Sequence, residues 1–264
     1  MIKAIIGLSK NSGKTSVLNH ILQTRENELC GVFTTGRDGE ELDLVENTEK
    51  PKVALPQNCF YTTFDYEVKK QSLFVEIISK LPFKSSGKNL WLVRTNSDIQ
   101  AEVVGPQTKI EQMKLAKMMQ NMGAKDIFID GSLNRKTIVA FDSIDETIVV
   151  GGASFGSIKE IKNEFARLTI LSRIKRNDNF NQSDRIVYSL SDKVIDTGLS
   201  SLFGNTKEIF QILKLDIDWI YFPGALTDRI YNKLESGLTN KTIILQHPIN
   251  IYLNYKNFKK LLSK

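Results

Sequence analysis

Cysteine and histidine are scarce in this 264-residue chain, with two of each. Cys30 and Cys59 show no Cys-x-x-Cys spacing, so neither a thiolate metal site nor a dithiol redox motif is expected, and a reducing compartment suits them. His20 and His247 lack the partners that a zinc site or a nucleophilic triad would need, and both are expected to be structural. No apolar stretch approaches the length of a membrane span, so no membrane role is expected. The first residues pass straight into Ile2-Lys3-Ala4-Ile5-Ile6, which reads as a strand and is too short for a secretory signal; the expected location is cytoplasmic. Internal repeats and low-complexity tracts are also missing. Formal net charge is +6 with a sequence pI near 9.1, yet no basic stripe interleaved with aromatics marks a nucleic-acid site. The densest basic groups are Arg173-Ile-Lys175-Arg176 and Lys256, Lys259, Lys260 and Lys264. Lys256, Lys259 and Lys260 fall near one helical face with Phe258, Leu261 and Leu262 opposite, as on a solvated helix face.

What is present is an ordinary globular composition, 41% apolar and 25% charged, in a chain long enough to bury a full core. Apolar runs alternate with helical patterns, which predicts an α/β fold: a mainly parallel sheet with flanking helices, of the P-loop NTPase kind. Strands are expected at Gly31–Thr34, Lys52–Leu55, Cys59–Thr63, Leu90–Val93, Ala101–Val104, Asp126–Asp130, Thr147–Val150, Trp219–Phe222 and Thr242–Leu245. Helices are expected after the first strand, over Val68–Leu81, after Gly105-Pro106, over Ser157–Leu171 and between the last two strands. Polar Arg176–Asp184 reads as a linker. It separates a core over 1–175 from a C-terminal α/β portion over 185–264, which one large domain would also accommodate.

The strongest motif is Gly7-Leu8-Ser9-Lys10-Asn11-Ser12-Gly13-Lys14-Thr15-Ser16, between the first strand and a segment with Val17, Leu18, Ile21 and Leu22 at helical spacing. Strand, glycine-containing loop, Gly-Lys-Thr and helix are the context of a phosphate-binding loop. Loop N–H groups and a helix N-terminus converge on an anion there. Lys10 to Ser16 are the expected nucleotide-binding residues. Lys14 is assigned to the β and γ phosphates, and the Thr15 hydroxyl to magnesium. The strict pattern places a glycine where Leu8 stands, so this loop reads Gly-x5-Gly-Lys-Thr.

Asp130 closes the apolar run Ile127-Phe128-Ile129 and precedes Gly131-Ser132. This is how the magnesium-side aspartate of such folds presents itself, and it is expected to serve the metal beside Thr15. The segment Thr34–Asp43 follows the second strand, at the sheet edge where ligands sit. Within it Asp38 and Glu40 are candidates to orient water or touch magnesium, and Arg37 to stabilise developing charge; a solvated turn at Asp38-Gly39 is the plain alternative. Asn232-Lys233-Leu234-Glu235 lacks the aspartate of a guanine-reading motif, so ATP is expected over GTP.

These strings carry a resemblance. Gly7–Thr15, Thr35-Gly36-Arg37-Asp38-Gly39-Glu40, Ile129–Lys136, Gly151-Gly152-Ala153-Ser154 and Gly224–Asp228 resemble the small P-loop subunit of the reactivase family for lysine 5,6-aminomutase, over most of the chain. The resemblance implies an ATP-dependent chaperone that promotes release of damaged cobalamin from an adenosylcobalamin-dependent aminomutase. It implies a larger ATPase subunit, like a mismatch-repair protein, as partner, and ATP and Mg2+ as cofactors. Two rival classes remain. One is a small-molecule kinase or ATP-dependent ligase like dethiobiotin synthetase. The other is a nucleotide-dependent adaptor that assembles a cofactor or metal with little turnover.

Overall fold

Ile2, Ala4, Ile5 and Ile6 are all buried, the near-continuous apolar pattern of a strand covered on both faces. They lie in β1 (Ile2–Gly7), which leads to α1 (Lys14–Gln23). The computed structural model describes residues 1–25, 28–35, 52–131, 144–173, 184–245 and 250–263. By internal contacts it divides into two units, Met1–Ile161 and Lys162–Lys264. The first continues with β2 (Cys30–Thr34), β3 (Val53–Leu55), β4 (Cys59–Phe64), α2 (Asp65–Lys70), β5 (Val75–Ser85) and β6 (Lys88–Thr95). It ends with β7 (Ile99–Ala101), α3 (Lys109–Asn121), β8 (Asp126–Gly131) and β9 (Glu146–Val150); the division then falls within α4 (Ile158–Arg173).

A seven-stranded sheet in the order β5-β6-β4-β2-β8-β1-β9 organises the first unit. The five strands from β4 to β9 in that order run parallel, and the β5–β6 hairpin adds two antiparallel strands at the β4 edge. The fold is therefore α/β with a mixed, mostly parallel sheet. Neighbouring residues on a strand point to opposite faces, and the core divides accordingly. Val32 and Phe128 join Leu18 and Leu22 of α1. Phe33, Ile127 and Ile129 join Leu115, Ala116 and Met119 of α3. One helix thus covers each face.

The helix expected over Val68–Leu81 is not formed. Only Asp65–Lys70 is helical there, and Val75–Ser85 is strand β5. Val75, Ile77 and Ile78 are β-branched, and Leu81, Phe83 and Ser85 are buried at alternate positions, a period of two rather than 3.6. Ser86 and Gly87 both take positive φ, the geometry of a tight hairpin turn into β6. The strand expected over Ala101–Val104 is also displaced. β7 ends at Ala101, pairing with β3, while the Val104 N–H donates to the Thr62 carbonyl at 2.9 Å. α3 starts later than Gly105-Pro106 suggests, because Thr108 is its N-cap. The Thr108 hydroxyl accepts from the Glu111 N–H at 3.3 Å and meets the Glu111 carboxylate at 2.8 Å, a side-chain N-cap.

The second unit runs β10 (Val187–Leu190), β11 (Lys193–Asp196), α5 (Thr206–Leu213), β12 (Trp219–Phe222), β13 (Leu226–Thr227), α6 (Asp228–Leu234), β14 (Thr242–Leu245), β15 (Ile251–Tyr252) and α7 (Tyr255–Leu262). Its sheet has the order β11-β10-β12-β14, with β12 and β14 parallel. Ile209, Ile220, Phe222, Tyr231 and Phe258 are fully buried in its core. Lys256, Lys259 and Lys260 are exposed on α7, opposite Phe258. The expected linker lies almost wholly outside the described residues, as does His247. Among the described residues no helix is long and apolar enough to cross a membrane.

Candidate functional site

Four strand ends gather at one edge of the large sheet. β1 stands between β8 and β9, with Ile5 opposite Asp130 and Gly7 opposite Val150; Asp130 also faces Thr34 across β2. The carboxyl ends of parallel strands are where α/β sheets hold ligands. The loop from Leu8 to Gly13 rises from this edge and returns the chain into α1.

Backbone geometry builds the loop. Asn11 is left-handed at φ 58°, and Gly13, the N-cap of α1, is left-handed at φ 91°. Such turns direct successive N–H groups toward one side, forming an anion-binding concavity. Gly13 has no side chain with which to cap the helix, and no acidic residue lies in the first turn of α1. α3, α6 and α7 are capped by Thr108, Thr227 and Asn254; α2, α4 and α5 carry first-turn carboxylates. Among the described helices, α1 alone has neither. Its N-terminal N–H groups and dipole remain uncompensated by the protein, and an anion is what they would attract.

The irregular Gly-x5-Gly spacing acquires a physical reason. Leu8 points into the core at 4% exposure, and its N–H donates to the Val150 carbonyl at 2.9 Å. Gly7 is the residue that needs to be small: a Cβ there would fall on Ser12 Oγ and lie 3.1 Å from Lys14 Cδ. The absence of that Cβ lets Ser12 fold beneath the loop and Lys14 cross the end of β1. Lys10, Asn11 and Ser16 are exposed, Lys14 and Thr15 half-buried, and Ser12 buried.

Two oxygen atoms at this edge are shielded from solvent and have no hydrogen-bond partner among the described residues: Ser12 Oγ and Asp130 Oδ1. Burial pushes the Asp130 carboxyl above the usual carboxylate range, against the pull of the Lys14 charge. Asp130 and Lys14 are therefore electrostatically coupled across the β1–β8 edge. Its main chain is engaged, since the Thr35 N–H donates to the Asp130 carbonyl at 3.0 Å. Buried polar oxygens normally find partners, and an unpartnered pair beside a lysine is the arrangement a cation and its phosphate would satisfy.

The structure thus brings Lys10 to Ser16 and Asp130 to one edge. Asp38, Glu40 and Arg37 lie outside the described residues, and nothing places them. His20 is exposed on α1. Asn232 to Leu234 lie in α6, where Asn232 Oδ1 accepts from Asn257 Nδ2 at 3.0 Å. Among the described residues no cluster of three or more His, Cys, Asp or Glu side chains could hold a metal by itself.

The contribution of Gly151–Ser154 is not apparent from the residue pattern. Ser154 Oγ lies 2.8 Å from Ser9 Oγ, and a Cβ on Gly152 would meet the Ser12 backbone. The available signal is a run of small residues directly after a buried strand. Comparisons with protein-family models, with curated proteins and with solved structures find no match to this chain.

Proposed function

We propose that this chain binds MgATP at the β1–α1 loop and acts as an ATP-dependent reactivating subunit for an adenosylcobalamin-dependent aminomutase. In this reading it promotes exchange of damaged cobalamin together with a larger, mismatch-repair-like ATPase subunit. The two halves have different support. The nucleotide half rests on one observation above all: the uncapped N-terminus of α1, with Lys14, faces a buried and unpartnered Asp130 carboxylate oxygen. The mutase half rests on the sequence strings alone. A P-loop NTPase fold belongs to the same proposal.

The donor set fits magnesium. It is a hard cation that keeps several waters and takes one or two protein oxygens plus phosphate oxygens, so one carboxylate and one hydroxyl suffice. Asp130 and Thr15 would hold it, and the cation would neutralise charge on the transferred phosphoryl group. Lys14 would pair with the terminal phosphates. The N–H groups of Ser12, Gly13 and Lys14 would bind the phosphate oxygens. Leu8, held in the core, anchors the loop so that these donors are preorganised rather than recruited.

Lys14→Ala is expected to weaken MgATP binding or abolish turnover by about a hundredfold or more, with an unchanged circular dichroism spectrum. Equal affinity and equal hydrolysis in that variant would remove the nucleotide half. For the second half, inactivated lysine 5,6-aminomutase is mixed with this protein, the larger subunit, MgATP and fresh adenosylcobalamin. Recovery should require ATP and fail with Lys14→Ala. Persistent inactivity, with a phosphorylated or ligated small molecule formed instead, would transfer the assignment to a kinase or ligase.

A further inference from the structure

The last residue of β9 and the segment after it make three contacts with the loop, each at a different point along it. At the loop's start, the Leu8 N–H donates to the Val150 carbonyl at 2.9 Å. At its crest, the Ser9 and Ser154 hydroxyls are 2.8 Å apart. At its return, Gly152 lies so close to Ser12 that an added Cβ would stand 2.8 Å from the Ser12 carbonyl oxygen, 3.0 Å from its Cα and 3.1 Å from its carbonyl carbon. All three of those neighbours are backbone atoms. No rotamer change could relieve the crowding; one of the two backbones would have to shift, and a shift of Ser12 would carry Gly13 and Lys14 with it.

We infer that Gly152 and Ser154 are positioning residues for the phosphate loop: the chain leaving β9 forms a wall against which the Ser9–Lys14 backbone is held in its anion-binding shape. This rests on the loop being the nucleotide site. Neither residue needs to touch the ligand. Gly152 acts by being small where two backbones meet, and its own φ is not in the left-handed region. Ser154 acts by tying down Ser9 at the crest. The cost of ordering a loop on binding is removed when the fold has ordered it beforehand. A displacement of about 1 Å at such a site can cost a hundredfold in rate. The wall also accounts for glycine at 152, since a larger residue there would push on Ser12.

The test uses the whole chain and four variants: Gly152→Ala, Ser154→Ala, Ser154→Thr and Lys14→Ala. MgATP titration calorimetry gives Kd, steady-state hydrolysis separates KM from kcat, and amide exchange without nucleotide reports on residues 8–13. Gly152→Ala should raise Kd about tenfold or more, lower kcat and speed exchange in residues 8–13. Ser154→Ala should raise Kd and KM about threefold with kcat nearly unchanged, and Ser154→Thr should restore the parent values. A merely structural role would lower the melting temperature while leaving KM, kcat and loop exchange alone, and that result overturns the assignment. If Gly152→Ala does not fold, the Ser154 pair decides, because a variant and its conservative rescue share the same backbone. Should the parent protein fail to bind MgATP, the nucleotide reading falls. Exchange at residues 8–13 then still decides the wall: faster exchange in Ser154→Ala, reversed in Ser154→Thr, sustains it, and unchanged exchange refutes it.

Discussion

β8 carries an aspartate at each end, and the two are held in opposite ways. Asp126, at the amino end, is buried at 8% exposure, and its carboxylate forms an ion pair with Arg25 and lies 3.7 Å from Lys3 Nζ. Arg25 is itself fixed, its guanidinium 5.0 Å above the Phe128 ring. Burial opposes ionisation of Asp126, but Arg25, Lys3 and the Met1 ammonium outweigh it and hold the carboxyl below its usual range. Asp130 has Oδ1 shielded and unpartnered among the described residues, and burial raises its carboxyl despite Lys14. The same residue type on one strand is thus satisfied by the protein at one edge of the sheet and left wanting at the other. Unsatisfied buried groups cost stability. In the proposed function, magnesium satisfies the Asp130 oxygen where the strand ends, an uncapped helix and a lysine meet.

The largest expected effect comes from breaking the satisfied end. Arg25→Ala would leave Asp126 buried with the more distant Lys3 and Met1 ammonium groups, at 3.7 and 3.5 Å, and remove the cation over Phe128. The expected loss is about 3 kcal/mol, read as a lower urea midpoint at unchanged m-value. A loss below about 0.5 kcal/mol would mean that solvent, rather than Arg25, satisfies Asp126.

At the other end the sign should invert. Asp130→Asn removes a charge the apo protein does not compensate, so the free protein should gain on the order of 1 kcal/mol at pH 8. The folded pKa of Asp130 is raised, so its contribution to stability is fully present below the unfolded value and lost as pH rises through the folded one. The advantage of Asn should therefore shrink in acid. Magnesium-dependent hydrolysis should fall by about a hundredfold while magnesium-free nucleotide binding changes little. Equal losses with and without the metal would make Asp130 merely structural.

Removing the charge at Asp126 sharpens the comparison through pH. Its folded pKa is lowered, so its contribution is present above the unfolded value and lost as pH falls through the folded one. Asp126→Asn should cost about 2 kcal/mol at pH 7 and progressively less below about pH 4. The Asp126→Asn and Asp130→Asn stability profiles should thus differ in sign at pH 7 and converge in acid.

Much of this contrast was legible in the residues. The run Ile127-Phe128-Ile129 marked a buried parallel strand, and the position of Asp130 near its end marked the carboxyl edge of the sheet. Gly13-Lys14-Thr15 before Val17, Leu18, Ile21 and Leu22 marked the start of α1. What escaped was decided by tertiary partners. The Arg25–Asp126 pair joins the chain just after α1 to the start of β8, a spacing no local pattern encodes. Cys30 and Cys59 show no sequence motif, yet they pair directly between β2 and β4, and the interaction with Cys30 together with full burial raises the Cys59 thiol. Val75–Leu81 presents apolar residues at spacings compatible with helix as well as strand, and the hairpin turn at Ser86-Gly87 with the buried alternation of Leu81, Phe83 and Ser85 decided for strand. Gly152 gave no hint of its role, because close approach to Ser12 is visible only once β9 lies beside β1.

Lys3 offers the smallest and most discriminating test of how the amino end of β8 is satisfied. Its ammonium is 3.1 Å from Glu146, which is half exposed, and 3.7 Å from Asp126. If Arg25 supplies most of the compensation, removing the Lys3 charge leaves Asp126 paired. Glu146 meanwhile returns to water at little cost. Lys3→Met keeps the unbranched stem that packs along β1, so lost packing does not confuse the result. The expected cost is about 0.5 kcal/mol, falling further at high salt because the Glu146 contact is screened. A cost approaching that of Arg25→Ala would show the two cations sharing Asp126 as one network. The double variant separates the cases: additive losses mean independent partners, while a coupling of about 1 kcal/mol means a shared carboxylate.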